Sequence, residues 1–226
     1  IFRLSPGVRS TPAFGPLIPF LPLAQSTIFE QRERSDAIFG SLTWNATDRV
    51  KVTAGMRGTW VNKDLDQNLY SGTGTQNFGG VVQLPASVAP LANALSGPAI
   101  ARSLTRTDHA WLPSAKVQFK MDQASMLYAS YAKGFKAGGI NAASAGATDT
   151  LPFLPEWVDA YEIGMKNKWD QALLNVAVFR GDYKDLQTAV SILNATGGVT
   201  NVVNNVGGAV SQGVEIEGQW KINPKF

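Results

Sequence analysis

Residues 50–61, VKVTAGMRGTWV, alternate between two kinds of side chain with a period of two. A period of two is typical of a β-strand whose two faces meet different surroundings. The segment is therefore predicted to be a strand with one apolar and one polar face. The apolar or small residues are Val50, Val52, Ala54, Met56, Gly58 and Trp60, and the residues between them are Lys51, Thr53, Gly55, Arg57 and Thr59.

The same period recurs along most of the chain, whereas helical spacing of apolar residues is nearly absent. The faces are least clear in residues 125–136 and 172–190, where apolar positions continue into charged ones. The pattern predicts an all-β, antiparallel fold. Its seven strands are expected near residues 36–45, 50–61, 115–121, 125–136, 157–169, 172–190 and 208–222.

Short and long connections alternate between these strands. Short turns are predicted at 46–49, 122–124 and 170–171, and long loops at 62–108, 137–156 and 191–207, with residues 1–34 as a loop and strand remnant. A helix is expected near 86–96. Short turns on one side and long loops on the other are typical of outer-membrane barrels, although the loops of a soluble β-sandwich also vary in length.

The six tryptophans all fall on the apolar parity and sort to the two ends of the strands. Trp157 and Trp169 bracket one strand, and twelve steps of about 3.3 Å at a tilt of about 45° span roughly 28 Å. This is close to the height of the apolar band between the aromatic girdles of a membrane barrel. Core tryptophans of a sandwich would not sort in this way. The short-turn ends carry Trp44, Trp169 and Trp220, and the long-loop ends carry Trp60, Trp111 and Trp157.

Composition excludes several classes of function. The 226 residues contain no cysteine and one histidine, which argues against thiolate chemistry and His-based metal sites. The net charge of +3 comes from scattered basic residues, so no nucleic-acid partner is expected. Ser130 and Lys133 have the spacing of an acylating pair, but residues three apart on a strand point to opposite faces. We therefore expect no enzyme, no catalytic residue, no resident metal and no cofactor.

Five short motifs resemble the barrel strands of TonB-dependent outer-membrane receptors. The longest begins at Pro155-Glu156 and continues through Tyr161-Glu162-Ile163-Gly164-Met165-Lys166; one hairpin later follow Asn175, Ala177, Phe179, Asp182-Tyr183, Asp185 and Gln187. The others are Asp48-Arg49 with Gly55-Met56-Arg57, Tyr128-Ala129-Ser130-Tyr131-Ala132-Lys133-Gly134-Phe135, and Asn205-Val206-Gly207-Gly208-Ala209 with Gly213-Val214-Glu215-Ile216-Glu217.

The resemblance implies a transmembrane β-barrel of about 22 strands around a plug, of which this chain would be a partial wall without the plug. It also implies a place in the outer membrane of a Gram-negative bacterium, surrounded by outer-membrane lipid. The implied function is active uptake of a scarce ligand, a ferric siderophore first of all. TonB and its inner-membrane energising complex are the implied partners.

The loop at 62–108 is the expected ligand surface because it is long and glycine-rich. Its candidate ligand-binding residues are Tyr70, Phe78 and Arg102. The motif residues on the strands are instead expected to stabilise the wall. Two other functions remain open at this point. One is a passive porin or structural outer-membrane barrel; the other is a soluble β-sandwich that acts as a binding module.

Overall fold

The computed structural model describes residues 12–21, 23–73, 82–96, 99–141, 152–193 and 199–222. Among them, no helix is both long enough and apolar enough to cross a membrane. The elements in chain order are a 3₁₀ helix (Pro12–Phe20), β1 (Leu23–Asn45), β2 (Val50–Thr73), β3 (Val82–Gln83), α1 (Ala89–Ser96), β4 (Ile100–Lys120), β5 (Ser125–Lys136), β6 (Gly139–Ile140), β7 (Pro152–Phe153), β8 (Glu156–Lys168), β9 (Ala172–Lys184), β10 (Gln187–Leu193), β11 (Val199–Asn205) and β12 (Ala209–Trp220).

One antiparallel sheet carries the architecture. Seven strands pair in the order β1-β2-β4-β5-β8-β9-β12, and β3 adds to β2. Tight turns join neighbouring strands at one end; in one of them the Asp122 carboxylate accepts hydrogen bonds from the backbone N–H groups of Ala124 and Ser125. The remaining strands form the small pairs β6-β7 and β10-β11 at the opposite end. The predicted all-β antiparallel fold is confirmed.

The two faces of this sheet differ as the period predicted. The face that carries the tryptophans is called the outer face, and the face that carries Lys51, Glu162 and Lys166 is called the inner face. Large apolar side chains on the outer face are exposed, including Ile163 (67%) and Ile216 (71%). Within the described residues no second sheet covers them, whereas the second layer of a β-sandwich would. A broad exposed apolar face is what lipid would cover.

The tryptophans stand at the two ends of the outer face. Trp44 pairs with Val52 beside the first tight turn, and Trp220 pairs with Ala172 beside the last. At the other end Trp60 and Trp111 pack edge to face, with ring centroids 5.8 Å apart. The predicted sorting of aromatic residues to both edges of the apolar band is therefore present.

On the inner face, two of the sequence motifs meet at Tyr128. Its hydroxyl donates a hydrogen bond of 2.6 Å to the Glu162 carboxylate, and Lys116 Nζ lies 4.9 Å from the ring centroid. Lys166 Nζ lies 5.5 Å from the same ring. Gly164 makes room for the ring, because a Cβ there would lie 2.6 Å from Tyr128 Cζ. These residues stabilise the wall by joining β4, β5 and β8.

The strands are longer than predicted, which corrects the loop assigned to 62–108. β2 continues to Thr73 and β4 already begins at Ile100, so both ends of that stretch are paired strand. Within residues 1–34, predicted as a loop and strand remnant, β1 begins at Leu23, and residues 1–11 lie outside the described residues. The predicted boundaries failed because the outer face turns polar beyond Val61, at Asn62, Asp64 and Asp66, and the prediction ended the strand there.

The predicted strand at 172–190 is interrupted, and the loop at 191–207 contains strand. β9 ends at Lys184, and Asp185 adopts a left-handed backbone with φ 54°. Gly207, between β11 and β12, also has a left-handed backbone, with φ 96°. The two breaks face each other, because Leu186 N donates to Gly207 O at 2.9 Å. Paired breaks redirect the chain, so that β10 and β11 form a separate hairpin at the long-loop end.

Candidate functional site

Strands β1, β2 and β4 project beyond the apolar band at the long-loop end. Past Trp60 the outer face of β2 becomes polar, and Asp64 and Asp66 accept hydrogen bonds from Thr105 (2.8 Å) and Ser103 (2.5 Å) of β4. Acidic side chains in a continuous row belong in water or among headgroups. Residues 61–73 at about 3.3 Å per step and a tilt of about 45° rise roughly 25–30 Å above the tryptophans.

The inner face of this projection is covered by the segment that follows β5. Ile140 packs against Leu65, which is 1% exposed, with Leu104 beside them. Gly138 lies so close to β4 that a Cβ would stand 2.5 Å from Arg106 Nε. Residues 137–141 therefore fold back over the inner face at the mouth of the sheet, and only glycine fits at this close approach.

Basic side chains gather under this cover. We call Lys63, Arg102 and Arg106 the basic cluster; Lys63 and Arg106 are directly opposite in the β2–β4 register, and Arg102 lies opposite Gln67. Arg106 makes a two-pronged ion pair with Asp108, with distances of 2.8 and 2.6 Å. The Asp108 side chain is 7% exposed, so this pair is largely desolvated.

The other two members of the cluster lie on different strands and contact different side chains. Lys63 Nζ lies 3.2 Å from the Glu33 carboxylate, which is 48% exposed. The Arg102 guanidinium donates a hydrogen bond of 2.5 Å to the neutral Gln67 amide oxygen. Partial burial lowers the pKa of Arg102 from its ordinary value, yet an arginine stays charged at neutral pH. The inner face of the mouth thus carries three charged donor groups side by side on β2 and β4, and such donors recognise anionic oxygens.

Of the three sequence-predicted site residues, the two that the structure describes lie on opposite faces of the sheet. Arg102 lies on the inner face within the basic cluster, whereas Tyr70 lies at an outer-face position of β2 and is half-buried. Phe78 lies outside the described residues. Lys63 and Arg106 were missed because residues 62–73 and 100–108 were interpreted as loop. A signal was available, since Val61, Leu65 and Leu69 are all odd-numbered and so share one face of a strand that continues past Val61.

A small apolar core closes the end of the projection. It joins the 3₁₀ helix, the start of β1 and α1, through side chains that are nearly inaccessible to solvent. Its members are Leu17, Leu23, Leu84, Val88 and Ala92. Across the part of the chain that the structure describes, no group of three or more His, Cys, Asp or Glu side chains is arranged to hold a metal ion.

The chain is similar in sequence to known receptors. The family described as "TonB dependent receptor-like, beta-barrel" matches residues 3–226. The pesticin receptors of Yersinia pestis and Yersinia enterocolitica are 24% identical over 207 residues, which is 92% of this chain and 26% of each relative. The chain thus spans about a quarter of the length of these relatives.

Solved structures share the fold at low identity. The ferric yersiniabactin uptake receptor FyuA of Yersinia pestis matches with a TM-score of 0.67 and 21% identity, over 88% of this chain and 26% of that one. The ferric-catecholate import receptor Fiu of E. coli K12 matches with a TM-score of 0.60 and 18% identity, over 87% and 26%. Together with the sheet, its two faces and its aromatic edges, the family match over nearly the whole sequence settles the assignment: this chain belongs to the TonB-dependent receptor β-barrel family.

Proposed function

We propose that the whole protein takes up a ferric siderophore across the outer membrane with energy delivered through TonB. The observation that carries the cargo class is the basic cluster on the inner face of the mouth. Ferric siderophore complexes with hydroxamate, catecholate or carboxylate oxygens present a surface rich in acceptor oxygens. Arginine and lysine donors recognise such oxygens with charge-assisted hydrogen bonds.

The location of the chain is consistent with this function. As a member of its family the chain lies in the outer membrane of a Gram-negative bacterium. The family is one of transport receptors and not of enzymes. In outer-membrane barrels the short turns face the periplasm and the long connections face outward. On this rule the projection, its cover and the basic cluster lie on the extracellular side, where cargo arrives.

The choice of siderophores as the first class to test has a second support. Two structural neighbours are named for ferric yersiniabactin and for ferric catecholates. The basic cluster of this chain suits a catecholate complex, because catecholates bind iron through anionic oxygens that lysine and arginine can recognise.

Uptake of radioactive iron tests the proposal. Cells that lack other siderophore receptors would produce the whole receptor and be offered ferric yersiniabactin and a ferric catecholate separately, with and without TonB. We expect saturable uptake of at least one complex, which disappears without TonB. Uptake that persists without TonB would indicate a passive porin, and uptake of neither complex would contradict the siderophore assignment.

Arg102 provides a sharper test of the basic cluster. In Arg102→Gln, loss of one charged donor should weaken binding of an anionic complex about three- to tenfold, which corresponds to roughly 0.7–1.4 kcal/mol. The measurement is the dissociation constant on cells at a temperature where transport stops. Arg32→Gln is the matched control, since Arg32 is 72% exposed on the outer face and bonds Glu30. Equal affinity of the two variants would remove Arg102 from the site.

A further inference from the structure

One side-chain amide contacts two stretches, residues 137–141 over the mouth and residues 152–155, which pair with them. These two stretches together are called the covering segment. Gln187 is the first residue of β10, and its Nε2 donates hydrogen bonds of 3.0 Å to the carbonyl oxygens of Ala137 and Leu154. Ala137 directly follows β5, and Leu154 lies two residues before the start of β8 at Glu156. A single side chain on the hairpin is therefore bonded to the covering segment at two places, Ala137 after β5 and Leu154 before β8.

The main chain of the same residue is fixed as well. Gln187 N donates a hydrogen bond of 2.8 Å to the Glu156 carboxylate. Glu156 is the first residue of β8, so the wall itself supplies this acceptor. The start of the hairpin is thereby attached to the wall through its backbone and to the covering segment through its side chain.

A second amide holds Leu154 in the way that a neighbouring strand would. Asn205 Oδ1 accepts a hydrogen bond of 2.6 Å from Leu154 N, and its Nδ2 donates one of 3.0 Å to Leu154 O. The same Nδ2 lies 2.7 Å from the carbonyl oxygen of Asp185, at the left-handed break that starts the hairpin. Asn205 ends β11, so it joins the covering segment, the break and the returning strand.

A third amide repeats the pattern from the opposite side. Asn141, in the covering segment, donates from Nδ2 to Val203 O at 2.9 Å and accepts from Val203 N at 2.8 Å. Both Asn141 and Asn205 satisfy the N–H and the C=O of a single residue in the other segment. Because an amide offers a donor and an acceptor side by side, it replaces a strand partner where no strand is present.

We propose that Asn141, Gln187 and Asn205, with Glu156, form an amide clip that couples the covering segment to the β10–β11 hairpin, so that the two move as one body over the mouth. Each amide side chain of the clip bonds backbone groups of the other segment, so the clip fixes the backbone path of both segments. The proposal rests on the proposed function in one respect: the covering segment lies beside the basic cluster, where cargo would bind. These are positioning residues, and none is assigned contact with cargo.

The alternative is that each amide stabilises its own loop and that the two segments move independently. The distance between the segments in the whole receptor separates these possibilities. Spin labels at Pro152→Cys and Val199→Cys, both on exposed residues, would report that distance in outer-membrane vesicles. This stretch has no cysteine of its own, and any elsewhere in the receptor would be replaced.

Three variants are compared in this background. Gln187→Glu and Asn205→Asp replace donors by carboxylate oxygens that face carbonyl groups, while Glu156→Gln keeps an acceptor for Gln187 N. Ser191→Ala is the matched control, because it removes the 2.7 Å hydrogen bond to Asn201 within the hairpin and leaves the clip intact. Barrel assembly is checked separately by the change in gel mobility on heating.

We expect a narrow distance distribution in the unmodified receptor, in Ser191→Ala and in Glu156→Gln. Gln187→Glu and Asn205→Asp should broaden it at least about twofold while the barrel still assembles, because local opening of a loop needs far less free energy than global unfolding. If one of these two fails to assemble, the other decides. A distribution as narrow as that of the unmodified receptor would overturn the clip. No cargo is used, so this outcome is independent of the uptake assay.

Discussion

At the scale of single residues, the motifs are explained by contacts across strands. Tyr128, Glu162, Gly164 and Lys166 belong to two motifs on neighbouring strands and meet on the inner face. Gly164 is a motif residue on a strand, where it is expected to stabilise the wall, and a glycine does so by leaving room for a neighbouring side chain. The packing role holds, because the Tyr128 ring occupies the space of its missing side chain. The partner was not predictable, since the register between strands is set by the pairing and not by the local period.

Gly164→Ala should destabilise the barrel through this contact. The added methyl group would stand 2.6 Å from Tyr128 Oη, so the ring must move and its hydrogen bond to Glu162 must lengthen. We expect a loss of about 1–2 kcal/mol in the free energy of unfolding, measured by urea titration of the whole receptor in detergent micelles. Gly40→Ala is the control, because a Cβ there meets nothing within 4 Å. Equal loss in both variants would contradict the packing role.

At the scale of elements, the sequence predicted which segments form strands better than where they end. β2 and β4 continue past the tryptophans because their outer face turns polar while Leu65 and Leu104 turn inward beneath the cover. A rule that expects one face to stay apolar ends these strands too early. The break after β9 was missed for a different reason, since an aspartate in the left-handed region leaves only a weak trace in sequence.

Gly207 provides a test of the paired breaks. Its φ of 96° is strained for any residue with a Cβ, so Gly207→Ala should cost about 1–2 kcal/mol and loosen the hairpin. Hydrogen exchange of residues 187–205 in the whole receptor should become faster. Gly218→Ala on the same chain segment has no such strain, with its nearest contact at 4.0 Å, and should leave exchange unchanged. Unchanged protection in Gly207→Ala would show that the break does not constrain the hairpin.

At the scale of the whole molecule, the two-faced wall was predictable and the site was only partly so. The period of two, the sorted tryptophans and the family motifs predicted the barrel, and the family assignment confirms it. Arg102 was predicted as a ligand residue and lies in the basic cluster. Its neighbours were not predicted, because Lys63 lies on the paired strand β2 and Arg106 lies in a part of β4 that was interpreted as loop. Long-range pairing, which the chain alone does not reveal, creates the cluster.

One face of this wall meets lipid and the other faces the lumen. Strand β9 is the best place to test this, because its sequence alone left its two faces unclear. Single spin labels at each residue from 174 to 179 in the whole receptor would be measured for accessibility to oxygen, which concentrates in lipid, and to a water-soluble nickel chelate. The register places Leu174, Val176 and Val178 on the outer face, where Val178 is 56% exposed. We predict high oxygen and low nickel accessibility at these three positions and lower oxygen accessibility at Asn175, Ala177 and Phe179. The absence of a period of two, or a period of opposite phase, would contradict the account.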